Sequence, residues 1–203
     1  MPPIIVKDFL QGSPEWMAAC AGSVGASTID KIITASGLRS KQREDFMYQL
    51  AGERITGKKE GSFQTQAMQD GIDREPAARM LFEMMYGVEV EQVGIVYKDK
   101  WKLCHCSPDG LIAATKGLEI KNPAIKTHVK YLLAGGLPTD YFSQIQMSLY
   151  VTERDLWYFM SNYEGLKPLI VECHRDEAYI KKLEAELNAF NEELLSIVEK
   201  LKK

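Results

Sequence analysis

The chain has 203 residues, 45% hydrophobic and 26% charged, with a formal net charge of −3, a composition that fits a globular protein with a full-sized core and excludes disordered and fibrous classes. No apolar run reaches the roughly 18–20 residues that span a bilayer, and the opening MPPIIVKDF lacks the basic start and cleavage site of an export signal, so no membrane association and a cytoplasmic location are expected. The slight acidity does not advertise a nucleic-acid binder, but it leaves room for one whose carboxylates hold metal ions.

In chain order, Ser13-Pro14-Glu15 is a helix cap followed by proline at the first helical position, opening a helix to about Cys20. After the turn GSVGAS, Ile29, Ile32 and Ile33 recur at helical spacing and predict a second helix. Residues 41–56 continue helically. A longer helical region over 62–86 carries Ala78, Leu81, Phe82 and Met85 on one face, with an interruption expected near Gly71. The period then changes. VEVEQVGIVYKD, KWKLCHCS, DGLIAAT and KGLEIKNP are short segments rich in branched residues, separated by turn signals, and read as an antiparallel meander.

Helices are predicted over about 125–134, ended by Gly135-Gly136, and over 138–151; DLWYFMSNY and PLIVECHR read as two further strands. From Asp176 onward, Leu183, Leu187, Phe190, Leu194, Ile197 and Leu201 repeat at the spacing of a long amphipathic helix, which either docks on the core or makes a subunit contact. No repeat or linker divides the chain, so a single domain over 1–203 is expected. Its class is α/β (α+β), a central mixed β-sheet flanked by helices.

Four cysteines, Cys20, Cys104, Cys106 and Cys173, are too few for a disulfide framework in a chain this long. Cys104-His105-Cys106 hints at zinc, but no second closely spaced pair completes a tetrahedral set. Small buried residues on strands are the expected reading. Basic residues cluster at Arg39, Lys41 and Arg43, at Lys58 and Lys59, and at Lys126 and Lys130. Each cluster alone reads as a solvated face; gathered around one site they would mean more.

The chemistry concentrates in SPDGLIAATKGLEIKNP, residues 107–123. On a strand, Glu119 and Lys121 share a face while Ile120 points to the core. Asp109 opens the preceding strand, so its carboxylate can approach that of Glu119. Two such carboxylates repel unless a divalent cation lies between them, and oxygen donors without histidine or cysteine suit Mg²⁺ or Mn²⁺. Lys121 beside them can orient water, act as a base, or stabilise charge on a phosphoryl group. Glu119-Ile120-Lys121 is the only acid-x-Lys in the chain. Glu75 is either a third acid of this site or an ordinary acid early in a helix. Of Gln144 and Gln146, in an otherwise apolar helix, at least one is expected to face the site, because buried amides need partners.

Taken together, Glu75, SPDG at 107–110, GLEIKNP at 117–123 and YFSQIQMSLYVT at 141–152 resemble the lambda-exonuclease-like, YqaJ-type viral recombinase nucleases of the PD-(D/E)xK superfamily. The similarity runs from Trp16 to about Glu177. The resemblance implies a restriction-endonuclease-like core at about 61–175, a helical DNA-end-binding part at about 1–60 and a C-terminal helix over 176–203. It implies a Mg²⁺-dependent, two-metal 5′→3′ exonuclease (Mn²⁺ able to substitute) that digests linear double-stranded DNA to mononucleotides. The 3′ overhang would pass to a single-strand annealing protein for recombination, and the enzyme would be a homotrimeric ring.

Residue by residue, the resemblance makes Asp109 and Glu119 the metal-binding acids with the Ile120 carbonyl, Lys121 the catalytic lysine, Glu75 the upstream acid and Gln144 the first glutamine of the helix. Ser27 and Ser107 match hydroxyls that hold a terminal 5′-phosphate, and Met68 matches a side chain that wedges the strands apart or simply packs. Cys20 stands where the family carries an arginine that grips this phosphate. A thiol cannot replace a bidentate cation, so Arg39 or Arg43 reaches in, or the preference for phosphorylated ends is weaker. Only Cys173 lies near the C-terminus, so no iron–sulfur cluster is expected. The alternatives are an internally cutting endonuclease of the same superfamily and a catalytically silent DNA-binding recombination scaffold.

Overall fold

The computed structural model describes residues 2–61 and 66–203, and the backbone but not the side chains of Ala67 and Met68; the wedge expected at Met68 lies outside the described residues. Two four-stranded mixed sheets carry the helices. The first holds β1 (Ile4–Val6), β2 (Val24–Gly25), β3 (Ile95–Tyr97) and β4 (Cys104–Cys106), in the order β1-β3-β4-β2. The second holds β5 (Gly110–Ile112), β6 (Lys116–Lys121), β7 (Leu156–Ser161) and β8 (Leu169–His174), in that order. The mixed α/β class expected from the sequence is therefore present, with its strands in two sheets.

The meander breaks at Ser107-Pro108-Asp109. β3 pairs antiparallel with β4, and β5 with β6, but β4 and β5 lie in different sheets. Proline cannot donate to a ladder, so the chain leaves one sheet at Cys106 and enters the next at Gly110. VEVEQ is not a named strand; its Glu91 makes one isolated bridge to Leu111. β1 and β2, too short to show a period, were not legible in the sequence. β2 lies inside the GSVGAS segment read as a turn and runs parallel to β4.

The helices are α1 (Pro14–Cys20), a 3₁₀ turn (Ala26–Lys31), α2 (Arg43–Thr56), α3 (Gln66–Tyr86), α4 (Ile125–Ala134), α5 (Thr139–Thr152) and α6 (Glu177–Leu201). The helix expected around Ile29 is thus only a 3₁₀ turn, although Ile29, Ile32 and Ile33 are all buried. Nor is α3 interrupted at Gly71. That glycine lies under the β6–α4 connection, where Asn122 Nδ2 donates to the Gly71 carbonyl at 3.0 Å. On α6, Leu183, Leu187, Phe190, Leu194 and Val198 are buried in the main core, whereas Leu201 is exposed; the helix docks on the core.

β6 and β7 are parallel and in full register, from Lys116↔Leu156 to Lys121↔Ser161. A parallel pair needs a crossover, and α4 and α5 supply it. Gly117 faces the fully buried Trp157 in this register, and a Cβ on Gly117 would lie 2.3 Å from Trp157 Cζ3. Gly117→Ala should therefore overpack the sheet. We expect a loss of about 1–3 kcal/mol, a fall of about 2–12 °C in melting temperature at this chain length, checked by calorimetry.

Candidate active site

Asp109 ends the Ser107-Pro108-Asp109 passage between the sheets, and its Oδ2 accepts from the Ile120 N–H at 2.5 Å. The Asp109 side chain thus reaches the backbone of the strand that carries Glu119 and Lys121. Ile120 itself packs in the apolar cluster with Leu118, Tyr158 and Met160. Beyond Leu118, β6 has no β5 partner, so its edge there is free for the site. The Lys121 carbonyl faces the other way, accepting from Asn162 N–H at 2.9 Å. Because successive residues of a strand alternate edges, the Ile120 carbonyl lies on the Asp109 edge with its N–H.

Glu119 is only 3% exposed, an uncommon position for a carboxylate. Its Oε1 accepts from Lys121 Nζ at 2.5 Å and from Gln144 Nε2 at 2.5 Å. Its Oε2 and Asp109 Oδ1 take no hydrogen bond among the described residues, which leaves one oxygen of each acid open. Gln146, the second glutamine of α5, is used structurally: it donates to the His174 carbonyl at 2.9 Å and accepts from the Asp176 N–H at 2.8 Å.

Glu75 sits well inside α3, not in its first turn, and pairs with Arg79 one turn on. The reading of Glu75 as a helix-start acid is thereby corrected. Burial, and then the charge of Glu119, hold the Glu75 carboxyl above its ordinary range. Asp109 is pushed well above its ordinary range by burial first, then by Glu119 and, more weakly, Glu75. Three acids thus crowd one another. Burial opposes the charge on Lys121, but Glu119 and Asp109 outweigh it and raise the ammonium's pKa. With the two acids beside it, Lys121 is held as an ammonium.

The donor set for a metal is carboxylate and main-chain carbonyl oxygen. No group of three His, Cys, Asp or Glu side chains arranged as a metal cage occurs among the described residues. Mg²⁺ does not require one, since it commonly binds through one or two carboxylates and keeps its waters for substrate phosphates to replace. Asp109, Glu119 and the Ile120 carbonyl fit that habit; Glu75 is already engaged by Arg79.

From Glu119 and Gln144 a cavity of about 450 Å³ runs inward past Ser107, His105, Ser27, Cys20, Trp16 and Lys59. The two serines expected to hold a terminal phosphate thus line the same space as Glu119, whereas Asp109 and Glu75 line a separate cavity with Arg79 and Gln92. Trp16 Nε1 donates to Ser107 Oγ at 2.8 Å, which leaves that hydroxyl's own hydrogen available. His105 Nδ1 lies 2.9 Å from the buried Ser23 Oγ, and burial, with the nearby charge of Lys59, pushes the imidazole down to about 3. It is neutral at working pH. Cys20 is fully buried and burial raises its thiol to about 11, so it supplies no charge here.

Arg39 and Arg43 are not brought to this cavity. Arg39 Nε pairs with Glu186 at 2.7 Å, and Arg43 forks onto both oxygens of Glu193 at 2.9 Å while lying over the Phe190 ring. Both are held on α6. The cations that line the cavity are Lys59, 4.5 Å over the Trp16 ring, and Lys31. The buried Glu53 fixes the approach of Lys59: Oε2 accepts from the Gly22 N–H at 2.9 Å and Oε1 from the Glu60 N–H at 3.1 Å. Sequence reading registered Lys59 only as half of a charge pair, and His105 only as the centre of Cys-His-Cys. Cys104 and Cys106 themselves point into the main core.

Comparison with known proteins agrees with this geometry. Residues 15–155 match the model of the YqaJ-like viral recombinase domain. The chain belongs to that family. An alkaline exonuclease from Laribacter hongkongensis has the same fold, with a TM-score of 0.84 and 32% identity over 94% of this chain and 96% of that one. Its complex with dAMP matches equally, at 0.84 and 31%. A phage-related exonuclease from Haemophilus somnus 129PT shares the fold at a TM-score of 0.66 and 15% identity, over 88% of this chain and 96% of that one. Among curated protein sequences nothing matches. As a member of the YqaJ-like family with an exonuclease as structural relative, the chain is a nuclease.

Proposed function

We propose that this nuclease is a Mg²⁺-dependent exonuclease that degrades linear duplex DNA from its 5′ ends to mononucleotides and leaves 3′ overhangs for strand annealing. The observation that carries the reading is that Asp109 is held on the Ile120 N–H, beside Glu119 at the open edge of β6, while Glu119 also lines a cavity of about 450 Å³. Bound there, Mg²⁺ would polarise the phosphoryl oxygen and supply a nucleophile at neutral pH. Asp109, Glu119 and the Ile120 carbonyl hold the ions. Lys121 keeps its proton and places a positive charge where the phosphate becomes more anionic in the transition state. Gln144 fixes the Glu119 oxygen that Lys121 also holds, so the second oxygen keeps one direction.

The inner cavity receives the terminal phosphate. Ser27 and Ser107 offer hydroxyls, and Lys59 takes the place of the arginine that Cys20 cannot be. Family membership supports a homotrimeric ring, an annealing protein as partner and a cytoplasmic site of action. No helix among the described residues is long and apolar enough to cross a membrane.

The test is one digestion series: linear duplex with one 5′-phosphate and one 5′-hydroxyl end, and covalently closed circular duplex, each with and without Mg²⁺. Mononucleotides should appear only from the linear substrate, only with metal, and first from the phosphorylated end. A nicked or linearised circle would replace this reading with an endonuclease. Binding without any digestion, at any metal concentration, would leave only the scaffold. The same preparation should sediment as three chains.

A further inference from the structure

Arg79 is the buried cation nearest the acids, and no catalytic step above uses it. It is 7% exposed, an uncommon burial for arginine. Its Nε donates to the main-chain carbonyl of Asp109 at 3.0 Å, and its Nη2 donates to the Glu75 carboxylate. With the Gln92 amide turned so that its oxygen faces the guanidinium, that oxygen accepts from Nη1 at 2.8 Å and Nη2 at 2.9 Å. One planar group therefore ties three segments together: α3, the passage before β3, and the start of β5. Two of the three contacts fall on residues of the acid cluster.

The contact with Asp109 matters because little else holds it. Asp109 stands outside the ladder, one residue before β5 begins. The passage before it is pinned by Gln11, which donates to the Pro108 carbonyl at 2.7 Å, and by Trp16 on Ser107. Arg79 holds the Asp109 carbonyl itself, while Ile120 holds its side chain. The distance from one fork edge to the other thus sets where the Asp109 backbone lies relative to the Glu75 carboxylate.

We infer that Arg79 is a positioning residue of the nuclease: its fork on the Asp109 carbonyl and the Glu75 carboxylate fixes where Asp109 stands to receive the metal. This rests on the proposed role of those acids. A lysine cannot reproduce the function, because an ammonium on a flexible stem cannot hold the carbonyl and the carboxylate in one plane. Partners that orient metal-binding carboxylates from behind are commonly worth about 10- to 100-fold in metal affinity or activity.

The test compares Arg79→Lys, Gln92→Leu and Asp109→Asn with the unaltered protein. Mn²⁺ binding is measured directly by electron paramagnetic resonance without DNA, kcat and KM are measured on linear duplex, and melting is recorded to confirm that each variant is folded at the assay temperature. Arg79→Lys should weaken Mn²⁺ binding about 10- to 100-fold and lower kcat by a similar factor, with KM for duplex ends little changed. Gln92→Leu, which removes one support of the fork but keeps the guanidinium, should give a smaller loss of the same kind. If Asp109→Asn abolishes Mn²⁺ binding while Arg79→Lys leaves it unchanged, the positioning role is wrong and the acid site stands. If Asp109→Asn itself leaves Mn²⁺ binding unchanged, the metal role of the acids fails first. Should Arg79→Lys not fold, Gln92→Leu decides: normal Mn²⁺ affinity and kcat in that variant overturn the inference.

Discussion

Lys121→Ala and Asp109→Asn should each lower the rate of duplex digestion by about 100- to 1,000-fold while leaving a folded protein that still binds DNA ends. The size follows from removing a preorganised charge in a site sheltered from water, where one such donor is worth about 10²–10³ in kcat. Two contacts define what is lost. Lys121 Nζ lies 2.5 Å from Glu119 Oε1, and Asp109 Oδ2 lies 2.5 Å from the Ile120 N–H. Asp109→Asn separates chemistry from structure, because the oxygen of the new amide can still accept from Ile120 while its NH₂ cannot hold a cation. Since burial and Glu119 already strain the Asp109 carboxylate, this variant should melt no lower than the unaltered protein in EDTA. Single-turnover digestion, filter binding and calorimetry check the three parts. Near-normal digestion by either variant would remove the site assignment.

Lys59→Ala should make the enzyme nearly indifferent to whether the 5′ end carries a phosphate. A hydrogen bond to a charged group is worth about 1.5–3 kcal/mol, so the preference for phosphorylated over hydroxyl ends should fall about 10- to 100-fold, with digestion of hydroxyl ends little altered. Arg39→Ala and Arg43→Ala should leave the preference unchanged, because their guanidinium groups are spent on Glu186 and Glu193. Competition between the two end types in one reaction gives the ratio directly. An unchanged ratio in Lys59→Ala would mean that the cavity does not read the phosphate through this lysine. The stacking of Lys59 on Trp16 adds a reason for the expected loss: the indole holds the ammonium over the cavity before any DNA arrives, reducing the ordering cost of binding.

Much of the acid site was legible because it is local. Glu119 and Lys121 share a face through strand alternation alone, and a Pro-Asp turn ten residues earlier can reach them through one hairpin. The Glu75–Arg79 spacing of four was equally readable as a helical pair, although nothing local said that Arg79 would also reach Asp109. Gln144 could be suspected from being an amide in an apolar helix, but its choice over Gln146 depended on the rotation of α5 between β6 and the β8–α6 junction.

The division of the strands was less legible. β1 and β2 are two or three residues long, too short for any period, and each exists only because β3 and β4 present free edges. The fate of the basic residues was least legible of all. Charge along a chain does not say which carboxylate will stand opposite: Arg39 and Arg43 meet glutamates some 150 positions later, and Lys59 meets a tryptophan more than forty positions earlier.

The sequence by itself therefore determined the grouping of the candidate residues: Glu119 and Lys121 on one strand and Asp109 just before its hairpin partner, oxygen donors of the kind that suit a hard cation, because strand and helix periods fix which neighbours share a face. The tertiary structure alone decided which cations line the cavity beside Glu119 and what holds Asp109 in place. Those outcomes depend on contacts between segments far apart in the chain, where packing rather than local period selects the partner.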